Sequence, residues 1–348
     1  MKLLICTQAV DRDDPVLGFF HRWIEEFAAH AEQVTVVCLR EGTHALPANV
    51  TVCSLGKECG GDRFSYIRRF LGYCWQYRRE YDTVFVHMNA EYVVLGGLLW
   101  RLLGKRVALW YAHGSVSRML RIATALAHTV LTSTESGFRL PSEKKRVVGQ
   151  GIDTERFHAC AAPYAGGQIR LISVGRISPI KHYETLIRAV AALAGRGVDV
   201  SAGIIGGVGA PGQEEYFARL RTLVADLRVE GRVSFLGAIS NAEISIHLCR
   251  AHLFVNPSET GSLDKAGLEA MAAGLAVLTC NEAFADVLGE YRERLMFPKG
   301  DHEALAERIR EFVDAPDRAE IVAALRERVA REHSVTQLIP RIIEAIYD

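Results

Sequence analysis

The chain has 348 residues, of which 49% are hydrophobic and 24% charged, a composition typical of a globular protein with room for two domains. It argues against a disordered chain, and no apolar run reaches the ~18 residues that a membrane-spanning helix needs. The net charge is zero, but residues 1–150 carry 19 basic against 14 acidic residues. This basic amino half hints at an anionic partner.

The cysteines and the amino terminus favour a cytoplasmic protein. None of the eight cysteines are spaced as metal ligands are, and several, such as Cys6, Cys38 and Cys280, lie in apolar runs, as reduced buried cysteines do. The opening MKLLICTQAV becomes polar too early for a secretory signal. We therefore expect reduced cysteines and a cytoplasmic location.

Strand-like and helix-like segments alternate in chain order. The pattern predicts strands at KLLICTQ, QVTVVCLR, TVFVHM, RVALWYAHGS, HTVLTSTES and KRVVGQGID, with a first helix at LGFFHRWIEEFAAH. After the small-residue stretch AAPYAGG, a predicted linker, the alternation restarts at QIRLISVGR. This rhythm predicts an α/β fold of two Rossmann-like doubly wound domains, residues 1–150 and 151–330, with a terminal segment 331–348.

Two strand–loop–helix units in the second half suit an anion. In SVGRISPIKHYETLI, Gly175 and Arg176 follow a strand and Lys181 opens a helix, a cation pair suited to a diphosphate. Solvated surface charges are the alternative reading. In NPSETGSLDKAGLEAMAAG, a loop leads into a helix whose first amides, free of intrahelical partners, also suit an anion, and Glu269 lies two turns in.

These segments resemble the glycosyltransferase family 4 enzymes of GT-B fold. The resemblance covers nearly the whole chain and rests on SVGRISPIK, GQGIDTERF, NPSETGSLDKAGLEAMAAGLAVLT and WYAHG. It implies two Rossmann-like domains facing a central cleft, with the acceptor on the first domain and a nucleotide sugar on the second. It also implies that the terminal helix packs back on the first domain.

The resemblance also implies roles for individual residues. Arg176 and Lys181 would bind the donor diphosphate, and His113 would touch the transferred sugar near the reacting carbon. Glu269 would accept hydrogen bonds from the ribose hydroxyls. The other donor-binding candidates are mostly backbone positions: Leu236 and Gly237 beside the nucleobase, and Gly261, Ser262 and Leu263 facing phosphate and sugar. Gly175 belongs to the Gly-Arg…Lys motif, and Gly18 marks a turn where the backbone could approach a ligand.

The sequence departs from the family pattern at one carboxylate. The family has a pair of glutamates eight positions apart, but Gly261 stands where the first is expected. Asp264 or Glu259, from a shifted loop, could take its place. Because that carboxylate normally contacts sugar hydroxyls, the identity of the donor sugar stays open.

Four further features have a structural and a functional interpretation. His87 in VFVHMNAE and Gly18 before the first helix each suit either a core or turn position or a site contact. DRDD (residues 11–14) resembles a metal motif of another glycosyltransferase fold, but we expect no metal. Gly206 and Gly207 lack a dinucleotide fingerprint, and we interpret them as a flexible loop near the donor.

Residues 63–80, RFSYIRRFLGYCWQYRRE, read as a basic amphipathic helix. Such a helix fits an anionic membrane surface, where it would bring a lipid-linked acceptor to the enzyme. The alternative is an ordinary helix that buries one face, with arginine stems packed along it.

Together these features predict a metal-independent, retaining glycosyltransferase that uses a UDP- or GDP-sugar and no cofactor. Its acceptor would be a glycan or a lipid-linked sugar, as in cell-surface polysaccharide or glycolipid biosynthesis, with no nucleic-acid partner. It would be cytoplasmic, and peripheral membrane contact stays open. A GT-B sugar-nucleotide epimerase and a non-catalytic GT-B binding protein remain alternatives, the second favoured by the missing glutamate.

Overall fold

The computed structural model describes residues 1–14, 16–161, 164–209, 211–258 and 260–348, with the backbone alone at 241 and 242. Candidate Glu259, and Ala162 and Pro163 of the predicted linker, lie outside the described residues. The chain divides into two compact units. Unit 1 comprises Met1–Gly151 and Ser334–Asp348, and unit 2 comprises Ile152–His333.

The described residues of unit 1 form a seven-stranded parallel sheet in the order β3-β2-β1-β4-β5-β6-β7. Its strands are β1 (Lys2–Val10), β2 (Gln33–Glu41), β3 (Val50–Ser54), β4 (Thr83–His87), β5 (Arg106–Trp110), β6 (Thr129–Thr132) and β7 (Lys145–Val147). Its first four helices are α1 (Phe19–His30), α2 (Arg63–Gln76), α3 (Ala90–Leu102) and α4 (Arg118–Leu126).

The central strands β1, β4 and β5 are almost wholly buried, because helices cover both faces of the sheet. This burial explains why they are near-continuous apolar runs in the sequence. The sequence analysis missed β3, a half-exposed edge strand of five residues that carries little hydrophobic signal.

The described residues of unit 2 form a five-stranded parallel sheet in the order β10-β9-β8-β11-β12. Its strands are β8 (Ile169–Val174), β9 (Val200–Ile205), β10 (Val233–Gly237), β11 (Leu253–Asn256) and β12 (Ala276–Thr279). Its helices are α5 (Tyr183–Gly195), α6 (Gln213–Asp226), α7 (Asn241–Arg250), α8 (Lys265–Ala272), α9 (Ala285–Leu288), α10 (Arg292–Leu295), α11 (His302–Asp314) and α12 (Arg318–His333).

The last helix, α13 (Val335–Tyr347), returns to unit 1 and packs against α1. Leu338, Ile339 and Ile342 on this helix are fully buried with the side chains of α1 and the sheet. Helices α1 and α13 thus cover one face of the unit 1 sheet, and α2, α3 and α4 cover the other. At the ends of unit 2, the amide of Ile152 donates to the carbonyl of His333 at 2.7 Å.

One pair of cysteines corrects the expectation that all are reduced. Cys160 and Cys249 form a disulfide, with their Cα atoms 5.0 Å apart. The bond could not be predicted, because 89 positions separate the two residues and only the fold of unit 2 brings them together. The other six cysteines form no disulfide with the described residues, and burial raises the pKa of the Cys38 and Cys74 thiols to about 12, so these two are unreactive.

Candidate functional site

The candidate site in unit 2 lies where the strand order reverses. Strands β8 and β11 are neighbours in the sheet, but the chain leaves them towards opposite edges, β8 towards β9 and β11 towards β12. The loops at the carboxyl ends of two such strands diverge and leave a crevice, the usual ligand position in open parallel sheets. The Gly175–Lys181 loop follows β8, and the Pro257–Asp264 loop follows β11.

The loop after β8 is held tightly by backbone contacts. The amide of Gly175 donates to the carbonyl of Ile205 at 2.9 Å, and the buried Tyr183 hydroxyl donates to the carbonyl of Gly175 at 2.7 Å. A β-carbon at Gly175 would lie 2.9 Å from Cε of Lys181. Glycine at position 175 therefore leaves room for the lysine stem to cross the backbone and present its ammonium group.

Gly206 and Gly207 are packed rather than flexible, which corrects the sequence interpretation. A β-carbon on Gly206 would lie 1.9 Å from the carbonyl oxygen of Gly175, so only glycine fits. The amide of Gly206 donates to the carbonyl of Gly237, and the carbonyl of Gly207 accepts from the amide of Ile177. The ends of β8, β9 and β10 are thereby joined through backbone hydrogen bonds.

The two predicted anion-binding segments meet through an ion pair. Nζ of Lys181 lies 3.2 Å from Oδ2 of Asp264, and both side chains are mostly buried. The same oxygen accepts hydrogen bonds from Nδ2 of Asn256 and Oγ of Ser258, each at 3.1 Å. Three donors on one oxygen fix the carboxylate, and the carboxylate in turn fixes the ammonium group.

The loop before α8 presents unused backbone donors. Gly261 has a φ of 65°, the left-handed conformation that favours glycine. Nδ2 of Asn281 holds the loop from the end of β12 by donating to the carbonyl of Ser262 at 2.9 Å. Within the described part of the chain, the amides of Gly261 and Ser262 have no hydrogen-bond partner, whereas Leu263 is buried in the core.

Glu269 is 5% exposed, and its carboxylate faces Lys265, one turn earlier on α8. Burial holds the pKa of Lys265 well below its usual range, and the Glu269 carboxylate opposes that shift. The carboxylate expected to bind ribose is thus nearly covered and has the Lys265 side chain near it.

The other predicted residues of unit 2 lie at or just after the ends of β8 and β10. Arg176 is exposed, and its guanidinium makes no hydrogen bond or ion pair with the described residues. Leu236 is 41% exposed at the end of β10, the edge strand. Gly237 has a φ of 76°, and its carbonyl is used by Gly206.

In unit 1, His113 is exposed in the loop after β5. Its Nδ1 accepts from the amide of Ser115 at 3.1 Å. An N–H can only donate, so the neutral ring carries its proton on Nε2 and offers that atom as a donor.

Gly18 and His87 both have structural explanations. Gly18 is buried, and a β-carbon there would meet the carbonyl oxygens of Asp14 and Arg12 at 2.6 and 2.7 Å. His87 is 4% exposed and stacks on Phe20 with ring centroids 4.1 Å apart. Neither residue needs a ligand to account for its position.

A pocket of about 450 Å³ opens in unit 1 at the carboxyl edge of its sheet, between α2 and α3. Its polar side is lined by Gln8, Asn89, Lys57, Arg63 and Glu91, and the side-chain amides of Gln8 and Asn89 are hydrogen-bonded at 3.0 Å. The apolar side is formed by Leu39, Leu55, Tyr66, Ile67, Phe70, Tyr92, Val94, Leu95 and Met119.

The acidic residues of DRDD serve the loop itself. The Asp14 carboxylate pairs with Arg40 and accepts from the amides of Val16 and Leu17, each at 2.8 Å. No group of three histidine, cysteine, aspartate or glutamate side chains in the described ranges is arranged to hold a metal ion.

Sequence reasoning missed the residues that organise the site: Asn256, Ser258, Lys265 and Asn281. Asn256 ends β11, and Asn281 follows β12 by two positions. Polar side chains at the carboxyl ends of buried strands were the signal that could have found them. Lys265 lies four positions before Glu269, the spacing of a helical ion pair.

Comparison with known proteins finds similarity to proteins named as glycosyltransferases. Residues 161–330 match the family model described as "Glycosyl transferases group 1". The putative colanic acid biosynthesis glycosyltransferase WcaL of Salmonella typhimurium is 29% identical over 201 residues, 55% of this chain and 48% of that protein. The amylovoran biosynthesis glycosyltransferase AmsK of Erwinia amylovora is 29% identical over 217 residues, 59% of this chain and 52% of its own.

The chain spans about half the length of these curated relatives. Among solved structures, Anabaena Alr3699/HepE in complex with UDP and glucose superposes with a TM-score of 0.79 at 18% identity, covering 100% of both chains. At this identity the likeness concerns the fold. The two parallel-sheet units therefore have the GT-B fold predicted from the sequence, and residues 161–330 of unit 2 match the group 1 glycosyltransferase model.

Proposed function

We propose that this chain is a glycosyltransferase that moves a sugar from a nucleoside-diphosphate donor to a glycan or lipid-linked acceptor. The observation that carries the proposal is the meeting of Lys181 and Asp264 at the strand-order reversal of unit 2, beside the open amides of Gly261 and Ser262. The match of residues 161–330 to the family model supports it independently.

In the proposed reaction, Arg176 and Lys181 bind the donor diphosphate. Breaking the bond between sugar and phosphate leaves negative charge on the diphosphate. Lys181, fixed by Asp264, and the loop amides stabilise that charge more in the transition state than in the bound donor, which accelerates the reaction. The Gly175 carbonyl, held by Tyr183, keeps the loop in this geometry.

Asp264 has a different role from the missing family glutamate. Its Oδ2 atom is occupied by Asn256, Ser258 and Lys181, so we assign it to orienting the lysine rather than to holding sugar hydroxyls. Sugar recognition in unit 2 then falls to the backbone amides of Gly261 and Ser262.

We further propose a retaining, metal-independent reaction without a cofactor, through an oxocarbenium-like transition state. No side chain of the described site is placed as an obvious covalent nucleophile, so attack on the face that the diphosphate leaves is the mechanism we favour. Glu269 would receive the ribose hydroxyls if its side chain turns from Lys265 when the donor binds.

The names of the relatives direct the proposal for the acceptor. WcaL and AmsK are named for colanic acid and amylovoran biosynthesis, so we propose a growing surface polysaccharide or its lipid-linked precursor as the acceptor. The reaction would take place on the cytoplasmic side of the membrane. Among the described residues, no helix is long and apolar enough to cross a bilayer.

The test is thermal stabilisation by a panel of UDP- and GDP-sugars. A donor at a hundred times its Kd should stabilise the folded protein by roughly 2.7 kcal/mol. Arg176→Ala should lose that shift, and Arg310→Ala, an exposed arginine of the same unit outside the site, should keep it. Absence of a shift with every nucleotide sugar, or its retention in Arg176→Ala, would refute the donor site.

A non-catalytic binding protein is the second candidate, favoured by Gly261 in place of the family glutamate. NMR of the donor separates the two: an enzyme consumes the nucleotide sugar in the presence of an acceptor extract, and a binding protein only broadens its signals. An epimerase would change the sugar without any acceptor.

A further inference from the structure

Helices α2, α3 and α4 turn a common apolar surface to solvent. Of the fourteen large apolar side chains that are exposed in the described part of the chain, eight lie between positions 64 and 122, so the exposure is concentrated here. We call this surface the three-helix face. Its apolar members are Phe64, Leu71, Trp75, Leu95, Leu98, Leu102, Val116 and Ile122.

The apolar members of the three-helix face on α2 and α3 lie on one side of each helix, whereas Ile122 lies on α4 and Val116 in the loop before it. In α2, Phe64, Leu71 and Trp75 recur at the spacing of one helical side, and Phe70 and Cys74 on another side are buried. In α3, Leu95, Leu98 and Leu102 do the same. All three helices pack on the same face of the sheet, so their outer sides form one continuous surface.

The same face is strongly basic. The segments of α2, α3 and α4 contain six arginines and one acidic residue, Glu91. Four arginines that end on this face, or just after α2, are exposed and make no hydrogen bond or ion pair with the described residues: Arg68, Arg79, Arg118 and Arg121. These guanidinium groups are available to an anion.

Two other arginines of the basic helix serve the fold. Arg69 donates to the carbonyl of Leu55 at 2.9 Å, and Arg78 donates to the carbonyl of Trp75 and stacks on its ring. The interpretation of residues 63–80 as a helix with arginines packed along it is therefore supported for these two residues, and the membrane interpretation stays a prediction.

The opposite face of the same sheet is different. On α1 and α13, Glu25, Glu26 and Glu344 balance Arg22 and Arg341, and Tyr347 is the large apolar side chain exposed on their described residues. Exposed apolar and basic side chains are therefore concentrated on the three-helix face and are not spread over the whole surface of unit 1.

We propose that the three-helix face docks on an anionic phospholipid bilayer. Arginines with free guanidinium groups match lipid phosphates, and aromatic and leucine side chains between them can enter the acyl boundary. A second copy of this chain fits poorly, because a symmetric contact would place arginine against arginine with few acidic partners. Only the side chains that project from the helices would enter the bilayer.

The face continues into the unit 1 pocket, since Arg63 and Leu95 belong to both. Docking would therefore present the pocket to the headgroup layer. The capture of a lipid-linked acceptor by this pocket rests on the proposed function. The docking itself does not, because it is measured without any sugar transfer.

The experiment is co-sedimentation of the full chain with vesicles of phosphatidylglycerol and phosphatidylcholine, against phosphatidylcholine alone. We expect binding to the anionic vesicles that weakens with salt. Replacing Arg68, Arg79, Arg118 and Arg121 by glutamine should lower the partition coefficient by roughly fivefold per arginine. The matched control replaces four exposed arginines of unit 2 by glutamine: Arg221, Arg250, Arg310 and Arg326.

A second variant tests the apolar part. Phe64→Ser with Leu98→Ser and Leu102→Ser changes the three most exposed apolar side chains of the face, which are 75%, 67% and 87% exposed, so folding should not suffer. It should weaken vesicle binding, and Ile180→Ser with Ile246→Ser in unit 2 should not.

Tryptophan fluorescence gives a local readout. Trp75 is 53% exposed, whereas Trp23, Trp100 and Trp110 are at most 2% exposed. Insertion should shift the emission to the blue, and Trp75→Phe should abolish the shift while vesicles still sediment the protein.

Several results would overturn the proposal: equal binding to neutral vesicles, unchanged binding of the arginine variant, or dimerisation in solution that the apolar variant abolishes. The thermal shift with nucleotide sugars, measured on the same variants, separates the two proposals. Loss of vesicle binding with an intact shift affects docking alone, and the reverse affects the donor site alone.

Discussion

The carboxyl edges of the two sheets share a topology and differ in chemistry. Each sheet reverses its strand order once near the middle, between β1 and β4 in unit 1 and between β8 and β11 in unit 2. At the first reversal two neutral amides, Gln8 and Asn89, face each other at 3.0 Å. At the second, an ammonium and a carboxylate, Lys181 and Asp264, do so at 3.2 Å.

The residues around these two pairs differ in the same way. The polar pair of unit 1 borders a largely apolar pocket, and the charged pair of unit 2 lies among fixed donors such as Asn256, Ser258 and Asn281. A rigid charged centre suits a ligand of fixed geometry such as a diphosphate. An aromatic and aliphatic pocket suits a ligand recognised by surface and shape. The comparison predicts that each edge can be disabled without the other.

The largest expected effect is that of Lys181→Ala. Removing a charged hydrogen-bond donor to the diphosphate should cost about 1.5–3 kcal/mol, or ten- to about 150-fold in affinity for UDP. Isothermal titration measures it, with Arg310→Ala as the control. UDP affinity within twofold of the unsubstituted chain would show that the lysine does not hold the diphosphate.

Leu95→Arg should weaken ligand binding in the pocket at the carboxyl edge of the unit 1 sheet. The larger charged side chain would occupy the rim of the unit 1 pocket, where Leu95 is 37% exposed. Using octyl glucoside as a probe with a sugar head and an apolar tail, saturation-transfer NMR should show roughly tenfold weaker binding, the loss expected from blocking an apolar contact. Affinity for UDP should stay unchanged, and Ile246→Arg in unit 2 serves as the matched control. If UDP binding falls together with probe binding, the two edges are not independent.

Asp264→Asn tests whether the Asp264 carboxylate orients Lys181 for the diphosphate. The ion pair is partly buried, so its loss should free Lys181 and lower UDP affinity by about fivefold, near 1 kcal/mol. The asparagine can still accept from Asn256 and Ser258, which keeps the loop in place. A rise in affinity would mean that Asp264 competes with the diphosphate instead of orienting the lysine.

The smallest effect should come from Tyr183→Phe. The change removes one buried hydrogen bond to the Gly175 carbonyl and should cost about 1 kcal/mol of stability in unit 2. All four tryptophans lie in unit 1, so circular dichroism is the appropriate probe of urea unfolding. No change in the midpoint would show that this hydroxyl does not secure the loop.

The elements and the two main loops of unit 2 were predictable because their signals are local. Apolar runs of four to six residues marked β8, β9, β11 and β12, and the glycine-rich and polar stretches that follow marked the loops. The edge strand β3 was not predicted, because it is half exposed to solvent and its hydrophobic pattern is weak. The packing of Gly206 against Gly175 was not predicted, because two consecutive glycines indicate a flexible loop unless the position of the neighbouring backbone is known.

The sequence by itself determined the alternation of strands and helices, the position of the unit boundary near residue 151, and the two segments that could face an anion. These follow from hydrophobic period and turn chemistry, which act over a few residues. Only the tertiary structure decided that Lys181 meets Asp264, that Cys160 bonds Cys249, and that three helices align their exposed apolar sides. Such contacts depend on the order of strands in each sheet, and that order is set by packing between segments far apart in the chain.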